Sequence, residues 1–456
     1  MKVKKENYLL HGPIFKRMAI LVIQIAATSI LQQLFTSADM AIAGKCISDS
    51  ALAAIGCTSP LIGLFIEFFL GLSNSSNVII SRFIGAADNK SASRAIDTSI
   101  AVALASGMFI MLVGVSFTRP LLTLMSVPSD LIDQSCEYLR IYFLGMPFFM
   151  LYNFSASIFR SWGDTTRPLI CLTSAGAINV ILNVVFVVVF NMGVAGVAVA
   201  TVISNAISAT ALLCLLIKRD GPLRFNIRKP EFDKSVLADI LKIGLPSGFL
   251  GSVFSISNVC VQSAINTLDT AAISASTAAS NIEIYIQFFG NAFAQTTTTY
   301  ISQNYGAKNY DRCKKVLKTA LIACISISTF LSAVVMLLSH QLLGLFVSDA
   351  AVIEIAISRM KYTVVFKFVQ AVMDIMVGAL QGYGYTLVPA FISIFGVCGV
   401  RLLWIFTVFP TFNTLASIMF IYPVTQAIAS LLLCCCYIFV IKRRMINSDT
   451  VSLENT

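Results

Sequence analysis

The chain has 456 residues, of which 57% are hydrophobic and only 12% are charged, with a formal net charge of +10. Soluble globular proteins contain about 25% charged residues, so this composition excludes a soluble enzyme or a soluble binding module. Apolar stretches of about 20 residues, the length that crosses a bilayer, recur along nearly the whole chain and predict a polytopic helical membrane protein.

The first apolar run extends from Ile14 to Ile42, which is too long for a signal peptide, so we interpret it as the first membrane helix. Apolar runs separated by polar residues, glycine or proline predict an all-α protein with twelve transmembrane helices. The helices are predicted to begin near Ile14, Ala51, Asp97, Ser135, Leu169, Val194, Ile240, Ala271, Val316, Ile355, Leu387 and Asn413. The twelve cysteines lie mostly in these runs without a C-x-x-C pair, which predicts packing rather than disulfides or a metal site.

Basic residues are distributed unevenly between the two sides of the predicted helices. If the N-terminus is cytoplasmic, the outer side keeps only six of them: Lys45, Arg119, Arg140, Arg359, Lys361 and Lys367. The positive-inside rule therefore predicts a multi-pass protein of the cell (inner) membrane with both termini in the cytoplasm. This orientation and the anionic lipid of the bilayer's inner leaflet account for the net charge, so no nucleic acid partner is expected.

The longest loop lies halfway along the chain, from Lys218 to Asp239, and contains Gly221-Pro222 and several basic residues. It predicts a linker between two halves. The predicted organisation is an N-terminal six-helix bundle over 1–217, a cytoplasmic linker over 218–239, a C-terminal six-helix bundle over 240–445 and a cytoplasmic tail over 446–456.

A shift of the sequence against itself by 221 residues tests whether the two halves are related. The shift aligns Ile80–Ala86 with Ile301–Ala307, and Gly163, Thr165 and Pro168 with Gly384, Thr386 and Pro389. Because six helices separate the repeats, both halves begin on the same side of the membrane and form a parallel repeat of the kind found in transporters. We therefore expect the substrate to bind between the two pseudo-symmetric bundles.

Four short motifs make the sequence recognisable. They are Ala51-Leu52-Ala53-Ala54, Gly85-Ala86, Gly163-Asp164-Thr165-Thr166-Arg167-Pro168 and Gln303-Asn304-Tyr305-Gly306-Ala307. In this order, on twelve helices, they resemble the multidrug and toxic compound extrusion (MATE) family over nearly the whole chain. The resemblance implies a V-shaped pair of six-helix bundles that exports organic cations and amphiphilic toxins by alternating access, in exchange for Na+ or H+. It also implies no enzymatic activity and no bound cofactor.

Polar residues of three helices in the N-terminal half are predicted to lie at one depth in the membrane. A charge at the bilayer centre costs roughly 2.5–3.5 kcal/mol, which makes Asp39 on the first helix a functional candidate. Asn179 and Asn183 share one face of the fifth helix, and Thr201 on the sixth lies at the depth of Asn183. Four such side chains can bind a hard cation such as Na+, or three of them can hydrogen-bond Asp39 as a protonatable carboxylate. The two asparagines alone equally suit interhelical hydrogen bonding.

The resemblance to the MATE family implies an ion-coupling role for the same residues. Relatives with a cation site in this bundle have an aspartate on helix one, an Asn-x-x-x-Asp pair on helix five and a threonine on helix six. Asp39, Asn179 and Thr201 match this pattern, whereas Asn183 has an amide in place of the second carboxylate, as in another branch of the family. With one carboxylate fewer, proton coupling through Asp39 explains the site as well as Na+ binding does.

In the C-terminal half, Asp374 matches an aspartate that some relatives use for cation or substrate binding. Those relatives also have a glutamate on helix seven, and this chain has no carboxylate from Leu241 to Leu268. We predict that Asp374 binds the substrate with the help of Glu283 and Arg401. The alternative is that Arg401 neutralises Glu283 or Asp374 and only orients the bundle, because charges within membranes usually pair.

Further candidates for substrate binding are Glu67 on the second helix and the run Phe148, Phe149 and Met150. Aromatic and methionine side chains suit flat organic cations through cation–π attraction and polarizability. We expect a small cationic substrate and a protein that acts as a monomer in the lipid bilayer.

Three other functions compete with this interpretation. A lipid-linked saccharide flippase of the same fold superfamily would need basic residues for pyrophosphate, but Asp39, Glu67, Glu283 and Asp374 outnumber Arg401 at mid-membrane. A membrane-embedded zinc enzyme would need clustered histidines, and the chain has only two, both isolated. A channel fits two pseudo-symmetric halves less well than alternating access does.

Overall fold

The computed structural model describes residues 9–125, 127–219, 224–412 and 414–453, with side chains described as far as Phe439. Within these ranges the chain is almost entirely helical and contains no β-strand. The helices are α1 (Ile14–Cys46), α2 (Asp49–Gly85), α3 (Asn89–Leu124), α4 (Ile132–Leu144), α5 (Met146–Ser161), α6 (Thr166–Val184), α7 (Gly193–Ile217), α8 (Lys234–Ile265), α9 (Thr270–Gly306), α10 (Tyr310–Leu337), α11 (Ser339–Gly344), α12 (Ala350–Thr363), α13 (Lys367–Gly382), α14 (Leu387–Ser393), α15 (Val400–Thr407), α16 (Phe409–Phe412) and α17 (Leu415–Leu453). Two π-helical segments, Val185–Val189 and Ile394–Gly399, follow α6 and α14.

Twelve helical segments in the described ranges correspond to the twelve predicted spans. Nine are long and apolar enough to cross a membrane, and two bent pairs, α4 with α5 and α12 with α13, raise this number to eleven. The twelfth is α9, which has 37 residues but carries Glu283, Gln287 and Asn291 at four-residue spacing, and these polar groups lower its hydropathy. The predicted start near Asn413 lies outside the described residues. The backbone of α17 continues to Leu453, through most of the predicted tail.

The backbone confirms the internal repeat. The shift of 221 residues maps the boundaries of several helices onto one another without a gap. The pairs are Asp49 with Thr270, Gly85 with Gly306, Asn89 with Tyr310, Met146 with Lys367, Ser161 with Gly382 and Thr166 with Leu387. The gapless register identifies the equivalent positions in the two halves, although the π-helical segments differ, because Ile394–Gly399 corresponds to 173–178 in α6 and not to Val185–Val189.

The turns at the repeated corners have the same backbone conformation. Ala87 and Lys308, which are equivalent, both have a φ of 58°. Gly163 and Gly384, also equivalent, have φ values of 73° and 80°. Residues other than glycine rarely adopt this left-handed conformation, which is often found where a helix ends. The repeated motifs therefore specify helix termini.

The chain forms two compact units, which we call unit 1 (Met1–Ser255 and Ser302–Tyr310) and unit 2 (Ile256–Ile301 and Asp311–Thr456). The start of α8 and the end of α9 thus belong with unit 1, although the predicted organisation assigns them to the C-terminal bundle. Close backbone packing within unit 1 explains this assignment. A Cβ atom at Gly71 would overlap the backbone of Gly248, and one at Gly85 would overlap the carbonyl oxygen of Gln303.

The segment 224–233 of the predicted linker, which precedes α8, is anchored to α3. The carboxylate of Asp97 accepts hydrogen bonds from the backbone N–H groups of Asn226, at 3.3 Å, and Glu231, at 3.0 Å. Gly221 and Pro222, which suggested the linker, lie outside the described residues. Asp97 is therefore an anchoring residue inside α3 rather than the start of the third span.

Candidate functional site

Asp39 is the centre of a polar cluster in unit 1. It lies on α1 and is only 8% exposed. Its Oδ1 accepts a hydrogen bond from the side-chain amide of Asn183 on α6 at 2.5 Å, and its Oδ2 accepts one from the hydroxyl of Thr201 on α7 at 3.1 Å. The amide of Asn183 also donates to Oδ1 of Asn179 at 3.3 Å. The structure thus brings together all four residues of the predicted ion-coupling site, which we call the Asp39 cluster.

The side-chain carbonyl oxygen (Oδ1) of Asn183 has no hydrogen-bond partner among the described residues, although Asn183 is completely buried. The amide nitrogen of Asn183 faces two acceptors, on Asp39 and on Asn179, so exchanging its nitrogen and oxygen would place oxygen against oxygen. An unsatisfied buried acceptor costs about 1–3 kcal/mol. A cation or another donor at this oxygen would remove that cost.

The helix that carries Asn179 and Asn183 widens into a π-helical turn just after Asn183. The π-helical segment begins at Val185, two residues beyond Asn183, and the N–H of Phe190 donates to the carbonyl of Val185 at 3.0 Å. Such single turns of π-helix occur frequently at functional sites. The α6 segment that carries both asparagines therefore ends in an irregular turn.

Two tyrosines of α4 stand beside Asp39. Tyr138 and Tyr142 are one helical turn apart, with their rings stacked at a centroid distance of 5.9 Å. Both are close enough to Asp39 for electrostatic interaction. Neither tyrosine was predicted from the sequence, because aromatic residues are common in membrane helices. Their four-residue spacing was the available signal.

In unit 2, Glu283 of α9 forms a buried ion pair with Arg359 of α12 at 3.3 Å. Thr363 donates a further hydrogen bond to Glu283, and Arg359 donates one to Ser276. Two predictions are corrected here. Arg359 is buried in α12, where the carboxylate offsets its charge, and does not lie at the outer surface. Glu283 is neutralised by Arg359 and not by Arg401.

Asp374 of α13 is linked to a lysine through one glutamine. The amide nitrogen of Gln287 donates to Asp374 at 3.1 Å, and the amide oxygen of Gln287 accepts from Lys367 at 3.1 Å. Lys367 also donates to Gln370 at 2.9 Å. Lys367 was predicted on the outer side, but it is the first residue of α13 and lies at the bend between α12 and α13, in the middle of their combined span. The prediction that Lys367 lies on the outer side is wrong, because the amide oxygens of two glutamines accept hydrogen bonds from its ammonium group within the span.

Arg401 of α15 is 3% exposed, and its guanidinium carbon lies 4.0 Å from the centre of the Tyr422 ring. Among the described residues no carboxylate lies within ion-pairing distance of it. The predicted alternative, in which Arg401 neutralises Glu283 or Asp374, is therefore wrong. Both acids have nearer partners on α9 or α12.

The other predicted substrate-binding residues lie apart from these clusters. Glu67 is exposed on α2 and has no hydrogen-bond or ionic partner among the described residues. Phe148 is 38% exposed and Phe149 is partly buried. Met150 is completely buried in the hydrophobic core of unit 1, because its side of α5 packs against that core. Met150 therefore does not line an accessible surface, which corrects its prediction as a substrate contact.

The buried polar residues of unit 2 had a detectable pattern in the sequence. Glu283 and Gln287 are four residues apart on α9, and Arg359, Thr363 and Lys367 follow one another at the same spacing. Residues four apart share a helix face, so each series predicts a polar stripe. Counting Arg359 and Lys367 only as loop charges concealed this pattern.

Comparison with known proteins gives concordant matches. The family model MatE matches residues 25–185 and 246–407. The chain is 27% identical over 443 residues to "Probable multidrug resistance protein YoeA" of Bacillus subtilis (strain 168), covering 95% of each protein. It is 22% identical to "Multidrug export protein MepA" of Staphylococcus aureus (strain MRSA252), covering 92% of this chain and 96% of that protein. The solved structure "Crystal structure of MATE in the bent conformation" has a TM-score of 0.88 and 23% identity over 99% of both chains, which shows a common fold.

Proposed function

The chain belongs to the MATE family, and we propose that it exports organic cations, drugs or toxins in exchange for Na+ or H+ by alternating access. The two relatives above are named as multidrug resistance and export proteins, which supports small-molecule export. The eleven apolar spans of the described residues make it a multi-pass membrane protein. Its resident membrane is proposed to be the cell membrane, with both termini cytoplasmic because of the basic inner loops.

The observation that carries the proposal is the composition of the Asp39 cluster. Asp39 accepts two hydrogen bonds, and no cationic side chain lies within ion-pairing distance of it among the described residues. The carbonyl oxygen of Asn183 is an additional, unused acceptor. Buried charges are normally paired, so an ionised Asp39 requires one positive charge from outside the protein. A proton or a Na+ ion supplies it.

Ion binding at Asp39 acts on three helices at once. When Asp39 is ionised, its two oxygens accept from Asn183 and Thr201 and so connect α1 to α6 and α7. A proton on one oxygen, or a Na+ ion shared with Asn183, removes or redirects one of these hydrogen bonds. We propose that the resulting rearrangement of α1 lowers substrate affinity, which is the differential binding that coupling requires.

For the substrate, we propose that Asp374 attracts the cationic group. Asp374 is half-buried, and it is connected to Lys367 only through the side-chain amide of Gln287. In a site with little water an unscreened charge contact is much stronger than in bulk solvent. A substrate cation would therefore replace the hydrogen bond from Gln287 with a direct ionic contact.

A lipid-linked saccharide flippase is the second candidate, and the buried cations of unit 2 favour it more than the sequence did. Arg359 and Lys367 join Arg401 in the interior. However, Glu283 neutralises Arg359, and Asp374 balances Lys367 through one amide, so the excess is a single charge. Pyrophosphate recognition uses several basic groups in bidentate contact. The charge balance therefore supports export of small molecules more strongly.

Transport by everted membrane vesicles tests the proposal. Vesicles that contain the protein are energised, and uptake of rhodamine 123, a fluorescent cation, is measured with the pH gradient or the Na+ gradient selectively collapsed. We expect uptake that stops when one gradient is collapsed. Two results together would contradict cation export and support the flippase function. They are dye uptake no greater than in vesicles without the protein, and translocation of a lipid-linked saccharide in proteoliposomes.

A further inference from the structure

Arg401 is a buried cation without a counter-ion among the described residues. It lies near the middle of the span Leu387–Phe412 and is 3% exposed. Its Nε atom is buried and has no hydrogen-bond acceptor in the part of the chain that the structure describes. The ring of Tyr422 faces the guanidinium group, which provides a cation–π contact but no negative charge. Removing an arginine from water without a paired acid is costly. The surroundings of Arg401 therefore lack a negative charge.

The internal repeat shows that the acid of the Asp39 cluster has no counterpart in unit 2. The 221-residue shift maps Asp39 to Cys260 and Thr201 to Tyr422, the residue on which Arg401 stacks. Arg401 itself follows the position equivalent to Asn179 by one residue. Unit 2 therefore has a fixed cation where unit 1 has the Asp39 cluster, and it has no carboxylate in the position of Asp39.

A second basic group extends the positive region. Gln426, one turn after Tyr422 on α17, donates to Gln370 at 3.2 Å, and Lys367 donates to the same oxygen of Gln370 at 2.9 Å. Glu283 and Asp374 attract Lys367, and Arg359 and Arg401 repel it more weakly. An ammonium group has three donors, and the two hydrogen bonds of Lys367, to Gln370 and Gln287, leave one available.

We infer that Arg401 and Lys367 bind a small anionic group, either the carboxylate of a zwitterionic substrate or a chloride ion. Both sources present the monovalent negative charge that this region lacks. Lys367 and Gln370 are half-buried, so the region is accessible at their end. For a zwitterion, Asp374 would take the ammonium group while Arg401 and Lys367 take the carboxylate. This substrate assignment rests on the proposed export function.

Two dyes that differ in one group test the inference. Rhodamine 123 is a cationic methyl ester, and rhodamine 110 is its zwitterionic free acid. Binding of each to the purified full-length protein is measured by fluorescence anisotropy, in chloride and in methanesulfonate buffers. The variants are Arg401→Gln, which removes the charge, and Arg401→Lys, which keeps it. Lys361→Gln is the matched control, because Lys361 is exposed on α12 and its substitution changes the charge of unit 2 equally.

If the anion is a substrate carboxylate, Arg401→Gln should weaken binding of rhodamine 110 at least tenfold and that of rhodamine 123 less than twofold. Arg401→Lys should restore much of the loss, and Lys361→Gln should resemble the wild type. If the anion is chloride, methanesulfonate should weaken binding of rhodamine 123 to the wild type but not to Arg401→Gln.

Equal changes for both dyes in Arg401→Gln, without chloride dependence, would overturn the inference, as would no change for either dye. A size-exclusion profile confirms that each variant is folded. If Arg401→Gln is not folded, Lys367→Gln retains the test, because it removes the other positive charge and should weaken binding of rhodamine 110 more than that of rhodamine 123. If the proposed export function itself is wrong, the result differs. The wild type would then bind neither dye and would transport neither into vesicles.

Discussion

The two halves of the molecule place opposite charges on repeated helices whose boundaries match at several points. Unit 1 has a buried acid, Asp39, with no cation beside it, and unit 2 has a buried cation, Arg401, with no acid beside it among the described residues. The equivalent positions are Asp39 and Cys260, Asn183 and Trp404, and Thr201 and Tyr422. A repeated backbone therefore preserves helix boundaries while leaving the chemistry of each half independent.

A third site, the ion pair of Glu283 and Arg359, shows the ordinary arrangement. Both charges are largely buried, they lie 3.3 Å apart, and hydroxyl groups of Ser276 and Thr363 satisfy further hydrogen bonds. This pair has what Asp39 and Arg401 each lack. The contrast separates a pair of charges that neutralise each other within the protein from single charges that have no charged partner among the described residues.

Neutralising Asp39 should have the largest effect on transport. Asp39→Asn keeps the size of the side chain but removes the only carboxylate of the Asp39 cluster, so neither a proton nor Na+ can be coupled. We expect dye uptake by everted vesicles to fall to the level of vesicles without the protein. Expression should be unchanged, because no ion pair is lost.

Asp130→Asn is the control for this variant, since Asp130 is an exposed acid of the same unit. It should transport at the wild-type rate. Coupled uptake at the wild-type rate by Asp39→Asn would remove Asp39 from the mechanism and would make the contrast between the halves irrelevant to coupling.

Breaking the ion pair of unit 2 should have the largest effect on stability. Arg359→Gln or Glu283→Gln leaves one buried charge without a partner, which costs about 3–5 kcal/mol. The double variant Glu283→Gln with Arg359→Gln should lose much less than the sum of the single losses. Free energies of unfolding in SDS measure all three. Strictly additive losses would show that the two side chains do not interact, and Asp39→Asn, which breaks no pair, should cost about 1 kcal/mol or less.

A second carboxylate in the Asp39 cluster should sharpen its preference for Na+. Asn183→Asp replaces the unpartnered amide oxygen with an anionic one, and hard cations prefer such ligands. We expect affinity for Na+ to rise about tenfold, which corresponds to about 1.4 kcal/mol. Isotopic Na+ binding to purified protein measures this change. Proton coupling alone would be indicated if neither the parent nor Asn183→Asp binds Na+.

The equivalent substitution in unit 2, Trp404→Asp, is the comparison for the previous variant. Arg401 lies three residues away on the same helix, so an acid there is expected to pair with it rather than to bind Na+. Na+ binding created by Trp404→Asp would contradict the difference between the halves.

The sequence was sufficient for the helices, the repeat and the four residues of the Asp39 cluster. Hydropathy determines the spans, and the repeated corners at Gly85 and Gly306 determine the register. The position of Arg359 could not be obtained in this way, because an arginine near the end of an apolar run resembles a loop charge. Its burial depends on Glu283, a residue of another helix that is 76 positions away.

The alternative that paired Arg401 with Glu283 or Asp374 was wrong for a related reason. Counting charges along the chain shows that acids and bases are present in one half, but it does not show which pairs meet. Gln287 connects Asp374 with Lys367, and this neutral residue has no place in a charge count. Long-range pairing within a bundle depends on helix rotation, which hydropathy does not determine.

The smallest predicted effect concerns the backbone that both halves have in common. Ala87 and Lys308 have the same left-handed φ of 58° and the same hydrogen bonds, from Ala87 N to Ile84 O at 3.1 Å and from Lys308 N to Tyr305 O at 3.0 Å. The left-handed conformation costs an L-residue about 1–2 kcal/mol, and glycine avoids this cost but loses about 0.5–1 kcal/mol of backbone entropy on folding. Ala87→Gly and Lys308→Gly should therefore each stabilise the protein by up to about 1 kcal/mol, by equal amounts and with no change in transport. The free energy of unfolding in SDS measures both effects. Unequal changes would show that the two turns have the same geometry but contribute differently to stability.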